Sequence, residues 1–446
     1  MKEITVFWFR RDLRLADNAG LYHALKRGKN VQAIFIFDED ILSKLNDPKD
    51  ARVTFIHDTL TDLNLQLMDL GSHLTVLYGK PLEVWKKLLK QHDISGVYTN
   101  RDYEPYALKR DQEVEDLLKS NEIEFHTFKD HVIFEKHEVL KKDDTPYVVF
   151  TPYSRVWKAK LASKMVKEGK KTFSFYLQSY PTEKYFSNFA KAKTKSKIPT
   201  LKHMGFERSE VEIFSKEVPR SVIKKYTEQR NFPALSGTSK LGVHFRHGTI
   251  SIRQKARMAQ TLNETYLNEL IWRDFYSSIL SHFPHVVTGP FREKYKWIEW
   301  RNDKEDFQKW CDGQTGYPLV DAGMRELNTT GFMHNRVRMV VASFLTKHLL
   351  IDWSWGEAYF AEKLLDFDLA SNNGGWQWAA GCGTDAAPYF RIFNPESQLK
   401  KFDSKLIYVK KWVPEYGTDE YVEPMVEHKF ARERCLATYK TALDRN

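Results

Sequence analysis

Residues 4–18 read ITVFWFRRDLRLADN. Six consecutive β-branched and aromatic residues, bracketed by charge at Lys2, Glu3, Arg10 and Arg11, suit a short strand covered on both faces, as in a parallel sheet. Runs of the same kind return at 31–37 (VQAIFIF), 73–79 (HLTVLYG), 96–100 (GVYTN) and 124–128 (EFHTF), with helical stretches at 53–70 and 105–119 between them. That alternation predicts a doubly wound, Rossmann-like α/β domain over residues 1–130. The glycine fingerprint GxGxxG that seats a dinucleotide after the first strand is replaced by FRRDLRLADN. A Rossmann-like sheet is therefore expected, and NAD binding is not.

At 446 residues the chain is long enough for two or three domains. Residues 131–205 loosen into a lysine-rich passage, including KAKTKSKIP at 191–199, which reads as a solvated linker. From 206 to 446 helical periodicity dominates, in ETYLNELIWRDFYSSIL (264–280), TGFMHNRVRMVVASFLTKHLL (330–350) and GEAYFAEKLLDF (356–367). An all-α second domain is expected. A formal charge of +10 suggests a polyanionic partner. Nine of the 12 tryptophans lie between Trp272 and Trp412, so the demand for flat π surfaces falls in the second half. No apolar run reaches membrane-spanning length and no secretory leader is evident. The expectation is a cytoplasmic, nucleoid-associated, monomeric chain that is not secreted. Three widely spaced cysteines, and His244 with His247 lacking further ligands nearby, support neither a disulfide framework nor a metal site.

Four segments carry candidate chemistry. In LLDFDLASNNGGWQWAAG (364–381), Asp366, Asp368 and Asn372 lead into Trp376 and Trp378, and carboxylates among so many apolar residues need partners. On a helix through GFMHNRVRM, Asn335, Arg338 and Met339 share a face with Val337, Val340 and Val341 behind them. Arg338 is the candidate to neutralise Asp366, while Arg336 points elsewhere, towards a phosphate. In YLNELIWRDFY, Glu269, Trp272 and Arg273 fall at i, i+3 and i+4, where Glu269 and Arg273 can also be read as a plain surface ion pair. In PALSGTSKLG, the hydroxyls of Thr238 and Ser239 sit in a glycine-flanked turn before a helix-like stretch, a place that suits a pyrophosphate.

These segments together closely resemble the photolyase and cryptochrome flavoproteins, and among them the class I cyclobutane pyrimidine dimer photolyases. The resemblance runs through FWFRRDLRLADN, GTSKLG, NELIWRDFY, TGYPLVDAGMRELNTTGFMHNRVRM, IDW and NNGGWQWAAGCGTDAAPYFRIFNP, in that order and over nearly the whole chain. It implies FAD, active as FADH⁻, in a helical domain, held by Tyr226, Thr238, Ser239, Lys240, Leu241, Gly242, Arg338, Asp366, Asp368 and Asn372. Gly242 stands where many relatives have serine. Asn372 would lie beside flavin N5, and Trp376, Trp353 and Trp300 would carry electrons from the surface inward. UV-damaged DNA is the implied partner: Trp272 and Trp378 would stack on the flipped dimer and Glu269 and Asn335 would bind its edges. Arg230, Arg273, Arg336 and Arg391, with Met339, would complete the DNA side. A second, antenna chromophore is also implied. Folate-binding relatives follow a Tyr-Glu step with Asn-Glu, where this chain has Pro105, Tyr106 and Ala107 after Tyr103-Glu104. The best-known form of the folate site is therefore not matched, and a deazaflavin, another antenna or an empty pocket all stay open. The alternative reading is a cryptochrome-type light receptor, against which stand Asn372, Trp272 and Trp378.

Overall fold

A computed structural model describes residues 3–169, 171–191 and 197–445. Most of the lysine run at 191–199 therefore lies outside the described residues. The chain divides into two units, neither of them continuous: Met1–Glu135 with Lys158–Lys216 and Leu241–Met258, and Lys136–Trp157 with Glu217–Lys240 and Ala259–Asn446. This division differs from the segments 1–130, 131–205 and 206–446, because the chain passes back and forth between the units.

The first unit is built on five parallel strands, β1 (Ile4–Phe9), β2 (Val31–Asp38), β3 (Leu74–Gly79), β4 (Ile94–Asn100) and β5 (Glu124–Phe128), in the order β3-β2-β1-β4-β5. In register, Phe7 lies opposite Ala33 on one side and Tyr98 on the other. Alternate residues serve opposite faces. Phe7, Phe9, Ala33, Phe35 and Phe37 pack with Leu21, Leu25, Val53, Leu60 and Leu67 from helices Ala19–Arg27 and Ala51–Asp69. Val6, Trp8, Ile34 and Ile36 pack with Trp85, Leu88, Val114 and Leu118 from helices Pro81–Gln91 and Pro105–Lys119. Two covered faces explain why the inner strands β1 and β2 read as nearly continuous apolar runs.

The charges of FRRDLRLADN are absorbed by the fold. The Asp12 carboxylate accepts from the Arg10 amide at 2.7 Å and from Asn100 Nδ2 at 2.6 Å; burial still raises it above the usual carboxylate range. Arg10 pairs with Asp111 and donates to the Asn100 carbonyl. These groups stand at the carboxyl ends of β1 and β4, the topological switch point where open α/β sheets bind ligands.

In the same unit, Asp130 accepts from Arg14 Nη2 at 2.8 Å and from Arg253 Nη2 at 2.8 Å; Asp130 and Arg253 are buried and Arg14 is half-buried. Burial pushes the Asp130 carboxyl up, but the two guanidinium groups outweigh it and hold it well below the usual range. Because its folded pKa is depressed, its contribution is complete at neutral pH and lost as pH falls through the acid range. Asp130→Asn strands a buried cation, Arg253, and a half-buried one, Arg14. A loss of about 3–5 kcal/mol is expected in denaturant unfolding at pH 7, with a smaller difference from the parent at acid pH. An equal loss at both pH values would contradict the pairing.

The second unit is helical. Its core gathers Trp310, Leu319, Met324, Val337, Val341, Phe344, Phe360, Trp376 and Tyr439. The helix expected across 330–350 is divided. Helix Pro318–Thr330 ends at Gly331 with φ 65°, helix Asn335–Ser343 starts afresh after His334, and a π-helical turn occupies Phe344–His348. The left-handed residue terminates the first helix as glycine commonly does. The stretch expected as a linker also holds regular structure, in helix Phe150–Ser163 and hairpin strands Met165–Glu168 and Lys171–Ser174.

Candidate functional site

Two helices of the second unit carry most of the candidate residues. Helix Glu264–His282, capped by Asn263 accepting from the Tyr266 amide, presents Glu269, Trp272 and Arg273. Helix Leu369–Ala380 runs unbroken through the double glycine and stops at Gly381, φ 86°. Gly374 is required where the helices meet: a Cβ there would lie 2.3 Å from the Tyr276 ring. Asp368 caps this second helix, accepting from the Ser371 amide at 3.2 Å.

Asn372, one turn into that helix, donates its amide to the Glu357 carbonyl at 3.0 Å and to Glu357 Oε1 at 2.9 Å. Burial raises the Glu357 carboxyl, partly offset by this bond. Glu357 thereby fixes the orientation of the Asn372 amide. Trp376, one turn further on the same face, is buried between Phe360, edge-on at 4.9 Å, and Trp310 at 6.1 Å. Gly356 makes room for it, since a Cβ would come within 2.2 Å of the indole. Trp353 is buried. Trp300 is half-buried, edge-on to Tyr439 at 6.0 Å. Trp378 is half-buried and projects from a different side of the helix than Trp376.

Arg338 meets Asp366 as expected, with Nη2 donating to both carboxylate oxygens at 3.1 and 3.0 Å and Nε to the Met333 carbonyl at 2.7 Å. Val337, Val340 and Val341 are buried behind it. Asn335 is exposed and Met339 half-buried. Glu269 differs from the surface-pair reading: its partner is Arg230, which also lies over the Tyr226 ring at 5.4 Å. Burial raises the Glu269 carboxyl and Arg230 opposes the rise. Arg336 donates to Asn231 Oδ1 at 2.7 Å and covers the Phe402 ring at 4.4 Å. Arg391 is exposed.

Around residue 238, Gly237 abuts Gln229, where a Cβ would fall 2.5 Å from its Cβ. Tyr266 Oη donates to Ser239 Oγ at 3.1 Å, Tyr226 packs edge-on against Tyr266, Thr238 is half-buried, and Lys240 sits over Phe332 with φ 52°. Leu241, buried, and Gly242, opening helix Gly242–His247, are counted with the first unit. In that unit the buried His244 binds Thr249 and the Phe214 carbonyl. Among the described residues no cluster of His, Cys, Asp and Glu could hold a metal, and no helix is long and apolar enough to cross a membrane.

Buried Asn268 Oδ1, His334 Nε2 and Trp376 Nε1 have no hydrogen-bond partner among the described residues. With the paired hydroxyls, the oriented Asn372 amide and the Arg338–Asp366 pair, these donors and acceptors are of the kinds that a flat, polar, phosphate-bearing cofactor such as FAD needs. Sequence reasoning missed Glu357, Trp310 and Asn231, none of which stands in a motif; contact across the fold alone reveals them.

Comparison with known proteins agrees with this description. Residues 5–171 match the family described as DNA photolyase, and residues 266–418 the FAD binding domain of DNA photolyase. The chain is 36% identical to the deoxyribodipyrimidine photo-lyase of a Synechococcus species, over 97% of this chain and 96% of that one. The crystal structure of a bacterial class III photolyase from Agrobacterium tumefaciens superposes with a TM-score of 0.85 at 31% identity, covering 100% of this chain and 98% of that one. An archaeal photolyase from Sulfolobus tokodaii, which holds two FAD molecules, gives 0.81 at 32% identity, covering 99% and 100%. An α/β unit of five parallel strands and a helical, FAD-binding unit in one chain define a photolyase-type flavoprotein. The chain belongs to the DNA photolyase family.

Proposed function

We propose that the protein repairs cyclobutane pyrimidine dimers in UV-damaged DNA by light-driven electron transfer. The observation that carries this reading is the meeting of two helices at Gly374 and Tyr276, one bearing Glu269 and Trp272, the other Asn372, Trp376 and Trp378. Bound FAD, fully reduced and excited by light, would supply the electron that opens the cyclobutane ring and would take it back once the two pyrimidines have separated. Tyr226, Thr238, Ser239, Lys240, Leu241, Gly242, Arg338, Asp366, Asp368 and Asn372 would hold the FAD. Reconstitution to one flavin per chain, lost on Asp366→Ala, supports the assignment; retention of full flavin content in that variant speaks against it.

A dimer stacked within a duplex cannot reach a buried group, and enzymes that act on bases, photolyases among them, take the base out of the helix. Trp272 and Trp378 offer the flipped dimer π surfaces, and Asn335 and Glu269 offer polar groups to its edges. Arg230, Arg273, Arg336 and Arg391 supply the cationic contacts to phosphate, which makes affinity fall with salt. Met339 contributes an apolar contact on the lesion side. Trp376, Trp353 and Trp300 pass the oxidising equivalent outward from the buried helix, so that photoreduction proceeds in short steps.

Glu269 stabilises charge as it develops on the pyrimidine, which a positioned polar group in a low-dielectric site does strongly. In single-turnover repair under calibrated light, Glu269→Ala is expected to lower yield per photon by roughly tenfold or more, by analogy with removal of one preorganised group. Its affinity for dimer-containing DNA should change far less. A variant that loses affinity but keeps its yield would remove Glu269 from the chemistry.

A further inference from the structure

Trp272 does not stand alone. The ring of Phe150 lies parallel to it, centroids 3.7 Å apart at an interplanar angle of 3°. An isolated aromatic pair prefers an offset or edge-on arrangement to one this nearly face to face, so the surroundings impose it. The imposing contacts come from the segment just after the helix that carries Trp378. Thr384 Oγ1 donates to the Val148 carbonyl at 2.7 Å, and the Phe150 amide donates to Asp385 Oδ2 at 3.3 Å. Phe275 meets both rings edge-on, 5.9 Å from Phe150 and 5.6 Å from Trp272.

We propose that Phe150 is a positioning residue for the lesion: it covers one face of Trp272, fixes the plane of the indole, and confines stacking of the flipped dimer to the opposite face. The clip from Thr384 and Asp385 to residues 148–150 couples the placement of the Trp272 wall to the segment that follows the Trp378 wall. An indole whose plane is set beforehand loses less side-chain freedom on binding, so the device acts on affinity for the everted dimer and leaves affinity for undamaged duplex unchanged. This inference rests on the stacking role proposed for Trp272.

The test uses FAD-loaded protein and two duplexes, one carrying a single thymine dimer and one undamaged. Phe150→Ala is expected to weaken dimer binding roughly two- to tenfold, the range of one aromatic pair, with undamaged binding and flavin content unchanged. Phe150→Tyr should restore parental behaviour. Phe150→Leu keeps most of the volume without the flat ring and should resemble Phe150→Ala, which guards against a fold that fails to tolerate alanine. In a Trp272→Ala background Phe150→Ala should have no added effect, whereas a merely structural residue would weaken binding there too. Equal losses for both duplexes, or none with Phe150→Ala and Phe150→Leu, overturn the proposal. If Trp272→Ala itself leaves dimer affinity intact, the stacking reading falls; if Trp272→Ala weakens dimer binding and the Phe150 variants do not, only the role of Phe150 falls.

Discussion

The Trp376→Phe protein is expected to bind flavin normally, to repair dimers once the flavin is reduced chemically, and to lose photoreduction under blue light. Trp376 is buried one turn from Asn372 on the same helix and face, which places its indole beside the residue proposed to face the flavin. Phenylalanine fills much of the same space against Phe360 and Gly356, and the fold should tolerate it, but a phenyl ring is far harder to oxidise than an indole. The neighbouring Trp310, at 6.1 Å, gives the experiment a second use. If photoreduction stays at the parental rate in Trp376→Phe, electrons bypass Trp376 and the line through Trp353 to Trp300 is wrong. The measurement is the bleaching of oxidised flavin absorbance during illumination with an external reductant.

Trp378→Ala is expected to weaken binding to dimer-containing duplex by about 1–3 kcal/mol, roughly five- to 150-fold, the range for stacking of one base on an aromatic side chain. Binding to undamaged duplex should change little, because phosphate contacts dominate there and carry no information about the lesion. Trp378 is half-buried where Trp376 is enclosed, and it leaves the helix on another side. The two indoles two residues apart therefore separate into distinct effects. Equal weakening towards both duplexes would show that Trp378 supports the surface generally and does not read the lesion.

Much of this was legible in the sequence where the signal is local. The inner strands β1 and β2 were readable because strands covered on both faces have little polar alternation to blur them, and the edge strand β5 because its residues are mostly β-branched or aromatic. Arg338 with Asp366 could be paired because a buried carboxylate demands a cation and the helical spacing of Asn335, Arg338 and Met339 offered one. Elsewhere composition concealed structure. The lysines of 131–205 suggested a linker, although Tyr153, Trp157 and Leu161, four residues apart and buried, form the apolar stripe of a helix. Gly331 ended a helix that apolar periodicity alone would have continued, because its positive φ outweighs hydrophobic pattern. Glu357 beside Asn372, Arg230 beside Glu269 and Phe150 on Trp272 were not readable. Each partner is brought to its neighbour by the fold, from 15 residues away in the first case, 39 in the second and from another segment in the third.

The central claim is that bound flavin lends an electron to a dimer everted against Trp272 and Trp378. Its most direct measurement is made on FAD-loaded protein, reduced chemically and mixed in the dark with an oligonucleotide carrying one thymine dimer. Restored adjacent thymines are then assayed after illumination with near-ultraviolet or blue light. Thymines should be recovered in proportion to light dose, with none in the dark or with protein stripped of flavin. Dimers that persist under light while the reduced protein holds both flavin and damaged DNA would contradict the account.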